Sequence, residues 1–139
     1  MAKSKPGYGK LRIASVSVVL RLPNGGIFGP EDLALTDAIR VERSIIGASR
    51  ALQLSYRTCW LGVDALNRTF DSPVVATFPG RREGGAEITQ FGERLVALYR
   101  SIERHAASSS KKTLEEISAS LDWNFDSKAK VAAAARNGA

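Results

Sequence analysis

The first hydrophobic pattern in the chain alternates between apolar and polar positions and ends at a glycine-rich turn. Apolar side chains occupy every even position from Ala14 to Leu22, and several of them are β-branched. Alternation with a period of two is typical of a β-strand that buries one face. The segment PNGG at 23–26 then interrupts the pattern, as turn residues do. The pattern therefore predicts an N-terminal strand over residues 11–22.

Three apolar patterns with helical spacing follow the turn, and each carries its own start signal. They predict helices over residues 30–42, 45–52 and 55–69. Pro30 suits the first position of a helix, because its missing N–H would have no partner there. Ser44 and Ser55 stand at the starts of the second and third helices, where a serine hydroxyl can cap free backbone N–H groups. Gln53 and Leu54, between these two helices, predict a tight turn.

A hairpin and a long helix follow the third predicted helix. Two short β-rich runs, residues 74–78 and 86–89, flank a loop with a proline, three glycines and two adjacent arginines, which predicts a β-hairpin. Thr89 can cap a helix over residues 90–107, whose apolar positions recur at helical spacing. This apolar stripe contains Phe91, Leu95, Leu98 and Ile102. A further short amphipathic helix is predicted over residues 113–123.

The order of these elements defines a fold class. A short helix, a brief turn and a helix of about four turns form a helix-turn-helix motif, and a hairpin after it makes the motif a winged helix. We therefore predict a mainly α fold with a β-hairpin wing: a winged helix-turn-helix with an N-terminal strand and a long C-terminal helix. The predicted segments are a basic N-terminal arm at 1–10, the winged helix-turn-helix domain at 11–107, and a short helix with a flexible tail at 108–139.

The surplus positive charge lies at the N-terminal end. The formal net charge is +6, and residues 1–30 carry five basic side chains and no acidic one. These five are Lys3, Lys5, Lys10, Arg12 and Arg21. A basic arm on a balanced domain can bind phosphate groups or anionic lipid, and a solubilising tail would have the same composition.

The composition also argues against several classes of protein. Hydrophobic residues make up 44% of the chain, enough for a compact core, and no apolar run approaches the ~18 residues that span a bilayer. Cys59 is the single cysteine, which excludes an internal disulfide and suits a reducing cytoplasm. His105 is the single histidine, so neither a zinc-type cluster nor a paired nucleophile and base is available. We expect a cytoplasmic protein that is not an enzyme and has no cofactor, metal or membrane partner.

The winged helix gives the two arginines of the hairpin a role. In helix-turn-helix proteins the second helix enters the major groove, and its first residues reach base edges. Arg57 is the best candidate to contact guanine or phosphate, with Ser55, Thr58 and Leu61 beside it on the outer side of the helix. The inner side, expected in the core, contains Tyr56, Cys59, Trp60, Val63 and Leu66. Arg81 and Arg82 would reach a phosphate or the minor groove, unless they are only solvated loop charges.

Several stretches of the chain together resemble one family of regulators. They are IFGPEDLALTDAI, SIIGASRALQLSYRTCWLGVDALN, GGAEITQFG and RLVALYRSIE, within the run from about Leu20 to His105. The most specific are SYRTCW, followed by Asn67, and the glycine-rich wing with ITQFG after it. The chain resembles the N-terminal DNA-binding domain of the ModE family of bacterial molybdate-responsive regulators, a winged helix related to that of LysR-type proteins.

The resemblance implies how such a protein would work. It implies a transcriptional regulator that binds a palindromic operator in double-stranded DNA as a homodimer, with Ser55, Tyr56 and Arg57 at the start of the recognition helix. It also implies that the long helix after the wing is a dimerisation helix, aided by the N-terminal strand. The apolar stripe offers a face for this contact, although it could equally pack on the core of its own domain.

Two departures from the family pattern shape the expectation. Full-length members carry a molybdate-binding domain, which the residues after 123 do not supply, so we expect a regulator without its own ligand-sensing domain. Ile46 stands where the family often has a small polar residue, and the wing has fewer glycines and more charge. We therefore expect a DNA preference different from that of the molybdate regulators.

Two alternatives stay open beside the regulator. One is a protein-interaction or dimerisation module derived from a winged helix, whose C-terminal tail engages a partner protein. The other is a sequence-neutral DNA-binding protein that contacts only the phosphate backbone. Selection of binding sites from random duplex DNA, with the complex sized at two salt concentrations, would distinguish all three. A regulator enriches a motif, a sequence-neutral protein binds in a salt-sensitive way without one, and an interaction module does not bind.

Overall fold

The computed structural model describes residues 13–79 and 85–125, which divide into two units. The larger unit contains residues 16–108, and the smaller one contains the described residues 13–15 and 109–125. The elements, in chain order, are β1 (Leu20–Arg21), β2 (Ile27–Phe28), α1 (Pro30–Glu42), α2 (Ile45–Leu52), α3 (Tyr56–Thr69), β3 (Val75–Phe78), β4 (Gly85–Ile88), α4 (Gln90–Ser109) and α5 (Lys111–Ser118). This order confirms the predicted winged helix-turn-helix. The predicted arm at 1–10, wing residues Arg81 and Arg82, and residues 126–139 of the predicted tail lie outside the described residues.

The three helices before the wing lie where the hydrophobic pattern predicts them. α1 and α2 have the predicted bounds, and α3 begins at Tyr56 because Ser55 is its N-cap. At the start of α1, the Asp32 carboxylate accepts a hydrogen bond from the backbone N–H of Gly29 at 2.9 Å. At the start of α2, the Ser44 hydroxyl accepts one from Gly47 N at 2.9 Å, so the predicted serine cap is confirmed.

The prediction of a strand over residues 11–22 is wrong in its extent. Of the described residues in this range, from 13 to 22, only Leu20 and Arg21 form a strand, which pairs antiparallel with Ile27 and Phe28 of β2. The described residues from 14 to 19 form no regular structure. A strand needs a second strand to receive its backbone hydrogen bonds, and β2 is only two residues long, too short to show an alternating pattern in the sequence.

The core of the larger unit lies between the helices, the wing and β2. Its buried residues are Phe28, Leu35, Ile39, Ile45, Ala48, Cys59, Val63, Leu66, Val74, Val75, Ala86, Leu95 and Tyr99. The rings of Phe28 and Tyr99 meet edge to face with their centroids 4.9 Å apart. The Tyr99 hydroxyl donates a hydrogen bond to the carbonyl of Val18 at 2.6 Å. This bond fixes the irregular N-terminal segment of the unit against α4.

The smaller unit is built around α5, and the prediction of a helix over 113–123 is wrong at both ends. α5 runs from Lys111 to Ser118. The Ser118 hydroxyl donates to the carbonyl of Leu114 at 2.7 Å and accepts from the backbone N–H of Ala14 at 2.6 Å. After Ser118 the backbone bonds become turn-like, from Ser120 N to Ile117 O at 3.0 Å. None of the described helices is both long and apolar enough to cross a membrane.

Candidate nucleic-acid interface

A tight turn sets the angle between α2 and α3. Gln53 adopts the left-handed backbone conformation, with φ 56°. Its N–H donates to the carbonyl of Arg50 at 3.2 Å, and the N–H of Leu54 donates to the carbonyl of Ser49 at 3.0 Å. These bonds satisfy two of the carbonyls that the end of α2 would otherwise leave without a partner. The predicted turn is confirmed, and α3 starts immediately after it.

The start of α3 is held by a pair of hydroxyl groups. The Ser55 hydroxyl accepts a hydrogen bond from Thr58 N at 3.0 Å and donates one to the Thr58 hydroxyl at 2.8 Å. The Ser55 side chain is therefore occupied as a helix cap. The hydroxyl hydrogen of Thr58 is left to donate outward, and both residues are exposed. Of the two, Thr58 is better placed to bond a phosphate or a base.

The side of α3 that faces the core is narrower than the sequence predicts. Cys59, Val63 and Leu66 are buried, as expected. Tyr56 and Trp60, expected in the core, are 52% and 47% exposed. With about 100° of rotation per residue, these two lie at the edge of the buried seam, where spacing alone does not separate inside from outside. The expectation that they are core residues is wrong, and Trp60 joins the exposed side of the helix.

The exposed surface of the helix-turn-helix is basic. Residues 43–63 contain three arginines and no acidic residue. Arg50 and Arg57 are exposed, and neither has an ion-pair partner within the described residues. Arg57 lies in the first turn of α3, and Leu61 is exposed one turn further on. An unpaired arginine at this position can bond phosphate or guanine without first breaking an ion pair.

The wing is a two-stranded antiparallel hairpin. Val75 lies opposite Ile88 at its base, and Phe78 lies opposite Gly85 toward its tip. Both strands agree with the predicted runs to within a residue. The roles of Arg81 and Arg82 stay predictions, because these residues fall in the segment 80–84, which the structure does not describe.

Asn67, in the last turns of α3, anchors the first strand of the wing. Its side-chain oxygen accepts hydrogen bonds from Val74 N at 2.8 Å and Val75 N at 3.0 Å. Its side-chain nitrogen donates to the carbonyl of Val75 at 2.9 Å. One amide thus satisfies three backbone groups and fixes the wing relative to α3. The sequence singled out Asn67 only as part of a motif and did not reveal this role.

The junction between α1 and α2 holds the second strand of the wing. Arg43 has the left-handed conformation, with φ 61°, and its carbonyl accepts a hydrogen bond from Ala86 N at 3.0 Å. Ser44 forms an isolated antiparallel bridge with Gly85. The Arg43 guanidinium donates to the Glu87 carboxylate at 2.8 Å. The wing is therefore fixed on one side by α3 and on the other by the start of α2.

The ITQFG stretch forms the joint between the wing and α4. The Thr89 hydroxyl accepts a hydrogen bond from Gly92 N at 2.9 Å, which confirms its predicted role as the cap of α4, and it lies 2.6 Å from the carbonyl of Pro73. Gly92 packs against the wing so closely that a Cβ atom there would lie 2.5 Å from the carbonyl oxygen of Val74. Threonine and glycine at this spacing let the helix start directly against the hairpin.

The apolar stripe of α4 divides between two environments. Leu95 is buried in the core, and Phe91 is half-buried with its ring 5.5 Å from that of Phe70. Leu98 and Ile102, further along the helix, are 47% and 41% exposed. The stripe therefore serves the fold at its N-terminal end and presents free apolar surface at its C-terminal end. Its role in dimerisation stays a prediction.

The described residues show no arrangement suited to metal binding, since no three His, Cys, Asp or Glu side chains come together in that part of the chain. Burial raises the pKa of the Cys59 thiol. The thiol therefore stays protonated at neutral pH and is a poor nucleophile.

The turn, the exposed recognition helix and the anchored hairpin define a winged helix-turn-helix protein. The chain is similar to the molybdenum-pterin-binding protein MopB of Rhodobacter capsulatus, with 41% identity over 118 residues, covering 82% of this chain and 43% of MopB. It is also similar to the DNA-binding transcriptional dual regulator ModE of Escherichia coli K12, with 26% identity over 87 residues, covering 62% of this chain and 33% of ModE. These findings confirm the resemblance to ModE: the chain is a homologue of the ModE and Mop proteins. The names of both relatives describe binding or regulation, consistent with a protein that is not an enzyme.

Both relatives are longer than this chain, which spans 43% of the length of MopB and 33% of that of Escherichia coli ModE. No protein-family model matches the sequence. Among solved structures, the full-length LysR-type regulator LysG of Corynebacterium glutamicum has 28% sequence identity and a TM-score of 0.45, covering 62% of this chain and 28% of LysG.

Proposed function

We propose that this chain is the DNA-binding part of a ModE-like transcriptional regulator and reads a specific sequence in double-stranded DNA. The observation that supports it most directly is the state of Arg57. This arginine stands in the first turn of an exposed helix after a tight turn, and it has no ion-pair partner within the described residues. The first residues of such a helix are those that reach base edges in the major groove.

The side chains around Arg57 divide between base and backbone contacts. Arg57 bonds guanine, whose two acceptors match the guanidinium fork. Thr58 donates its free hydroxyl hydrogen to a phosphate or a base, and Leu61 and Tyr56 supply exposed apolar contact area. Ser55 contributes mainly by fixing the helix start, because its hydroxyl is already bonded twice.

Sequence-independent affinity comes from basic residues beside the recognition helix. Arg81 and Arg82 follow β3 in the chain and are proposed to grip a phosphate or enter the minor groove. The arm with Lys3, Lys5 and Lys10 adds further phosphate neutralisation. Each phosphate contact releases condensed counterions, so binding should weaken steeply with salt.

The regulator is proposed to act as a homodimer on a palindromic operator. Leu98 and Ile102 expose large apolar side chains on one side of α4, which a second copy of the chain would cover. Two-fold pairing of the helices would present two copies of α3, and the operator would repeat its half-site with the same symmetry.

The test is selection of binding sites from random duplex DNA, followed by sizing of the complex at two salt concentrations. We expect an enriched palindrome bound by two chains. Arg57→Ala should then relax the sequence preference, whereas Arg81→Ala should weaken binding to all sequences and lower the salt dependence by about one phosphate contact. Arg104→Ala, which removes an exposed arginine of α4, is the matched control and should change neither property. Equal losses of specific and random binding in both variants would contradict the assignment.

A second candidate, a docking site for a partner protein, is supported by the smaller unit. Ile117 of α5 and Leu121 after it are 54% and 43% exposed. Large exposed apolar side chains near one another are typical of protein interfaces. If the chain enriches no DNA sequence but retains a defined partner through this unit, the interaction module replaces the regulator as the function.

A further inference from the structure

We propose that Trp60, together with Tyr56, reads thymine by packing against its methyl group in the major groove. The proposal rests on the proposed DNA-binding function and adds a residue to it, one that the sequence pattern assigned to the core. The base that Trp60 would recognise is thymine, so each half-site of the operator should contain a thymine at the position that Trp60 contacts.

Trp60 lies on the exposed side of α3, next to the buried seam. Taking about 100° per residue, Trp60 lies roughly 90° round the helix from the buried seam of Cys59, Val63 and Leu66, and Tyr56 lies between them. The two aromatic side chains are about half exposed and, with Arg57, line one shallow concavity at the start of the helix. This concavity opens on the same end of α3 that reaches base edges in the proposed complex.

The surface that Trp60 and Tyr56 expose is apolar and aromatic. Tryptophan and tyrosine present large apolar faces that gain free energy when water is removed from them. In the major groove the bases present hydrogen-bonding groups, and the apolar group that distinguishes one base from the others is the C5-methyl group of thymine. An exposed aromatic pair at the start of a recognition helix therefore matches thymine better than any other base.

The charge around the aromatic pair favours DNA over a protein as its occupant. The aromatic pair does not form an apolar surface by itself, since exposed Arg57 lines the same concavity. No carboxylate occurs between residues 43 and 63, and Asp64, the next acidic residue, bonds to Arg68 at 3.3 Å. An apolar patch with an unpaired arginine beside it and no carboxylate among residues 43–63 is complementary to a base pair flanked by phosphates.

The geometry also predicts how the contacts are spaced on the operator. Arg57 and Trp60 are three residues apart, which separates them by about 4.5 Å along the helix axis. Neighbouring base pairs are about 3.4 Å apart along the duplex. If Arg57 bonds a guanine, the thymine read by Trp60 should lie next to it or one base pair further away.

The experiment replaces thymine with deoxyuridine, which removes only the methyl group. After selection of the operator, each thymine of one half-site and its symmetry mate are exchanged in turn. For the unaltered protein we expect one position, near the guanine, where affinity falls about fourfold per methyl group, the effect of exposing one buried methyl-sized group. Trp60→Ala should bind the thymine operator less tightly and lose the difference between thymine and deoxyuridine. Trp123→Ala, which removes the other tryptophan of the chain, is the control and should keep the difference.

The possible results separate the inference from the function on which it rests. If the unaltered chain selects no sequence, the proposed function itself fails. If it selects a motif but Trp60→Ala responds to deoxyuridine as the unaltered chain does, the thymine contact is wrong and the function stands. Loss of self-association with unchanged DNA binding in Trp60→Ala would show a protein interface instead and would also overturn the inference. Trp60→Gln, a polar side chain without a ring, is measured in parallel in case the alanine variant does not fold.

Discussion

Tyr99 of α4 and Val18 of the N-terminal segment are joined by a hydrogen bond of 2.6 Å across 81 positions of sequence. The tyrosine is almost completely buried, and its ring also packs on Phe28. Residues 16–19 form no regular structure, so this bond and the packing around it hold that segment to the rest of its unit in place of a paired strand.

Replacing Tyr99 with phenylalanine should therefore destabilise the domain without changing its fold. The Val18 carbonyl would lose its donor, and because the bond is part-buried we expect a loss of about 1 kcal/mol, the lower end of the range for an unsatisfied buried acceptor. The free energy of unfolding in urea measures the loss. Tyr56→Phe is the matched control, since the Tyr56 side chain is half exposed. Removing its hydroxyl should change the free energy of unfolding by about 0.5 kcal/mol or less. Equal effects in the two variants would show that the bond to Val18 contributes nothing.

The same tyrosine should make the stability depend on pH in alkaline solution. Burial, followed by the negative charges of Glu103 and Asp32, raises the pKa of Tyr99 above its ordinary value of 10.0. The folded chain then holds the phenolic proton more tightly than the unfolded chain. This contribution is fully present below pH 10 and is lost as the pH rises through the folded pKa. The free energy of unfolding should fall less steeply above pH 10 in Tyr99→Phe, and parallel curves would contradict this.

Asn67 should be more important for stability than its half-buried position suggests. In Asn67→Ala two N–H groups and one carbonyl of the wing base lose their partner, and each unsatisfied group costs about 1–3 kcal/mol when water cannot replace it. Asn67→Asp keeps the oxygen that accepts from Val74 N and Val75 N, but it replaces the donor with a charged oxygen that repels the Val75 carbonyl. The two retained bonds become charge-assisted, so we expect this variant to be destabilised but less than Asn67→Ala. Urea denaturation gives the order, and hydrogen exchange of the Val74 and Val75 amides gives the location. An alanine variant as stable as the aspartate variant would mean that water replaces the side chain.

Gly92 should not tolerate a side chain. A Cβ atom would lie 2.5 Å from the Val74 carbonyl oxygen and 2.8 Å from the Ile88 side chain, so α4 or the wing must move. We expect Gly92→Ala to destabilise the domain by about 1–3 kcal/mol, in spite of the higher helix propensity of alanine. Gly29→Ala is the control, because its Cβ would come no closer than 3.4 Å to another atom, on the exposed side chain of Val19, and its backbone is extended. If both variants are equally stable, the close contact with Val74 does not constrain the helix.

Dimerisation through α4 can be tested at its exposed apolar end. Ile102→Glu places a charge where the partner helix would pack, and we expect a monomer by analytical ultracentrifugation with the domain still folded. Ala97→Glu changes an exposed position of the same helix that is off the apolar stripe, and it should stay dimeric. A dimeric Ile102→Glu variant would exclude this surface as the interface. A monomer should also bind a single half-site far more weakly than the dimer binds the palindrome.

The sequence predicted well those elements that depend on nearby residues. The helices from α1 to α4 follow the 3.6-residue period, and Ser44, Ser55 and Thr89 cap helices because a hydroxyl needs only a backbone N–H three residues away. The strand over 11–22 was wrong in its extent because a strand depends on a distant partner, and the chain supplies one of only two residues.

Other features could not be read from spacing because they depend on what lies opposite each side chain. Tyr56 lies three residues before Cys59 and Trp60 three before Val63, a spacing typical of the core, yet about half of each aromatic side chain is exposed. The three hydrogen bonds of Asn67 reach residues seven and eight positions away, beyond any helical or strand period. The first case concerns the surface that we propose to meet DNA, and the second concerns the joint that holds the wing beside it, so the fold was more predictable than the details of the site.

The two attachments of the hairpin limit how this domain can be controlled. Asn67 ties β3 to the end of the recognition helix, and the Ser44–Gly85 bridge ties β4 to the start of the helix before it. The hairpin and the recognition helix therefore behave as one rigid body, and DNA binding cannot be changed by moving one of them against the other. A signal that alters DNA binding has to act outside that rigid body, by changing the distance or the angle between the two domains of a dimer. The response of DNA binding to such a signal would then depend on the length and register of α4 rather than on the residues that contact DNA.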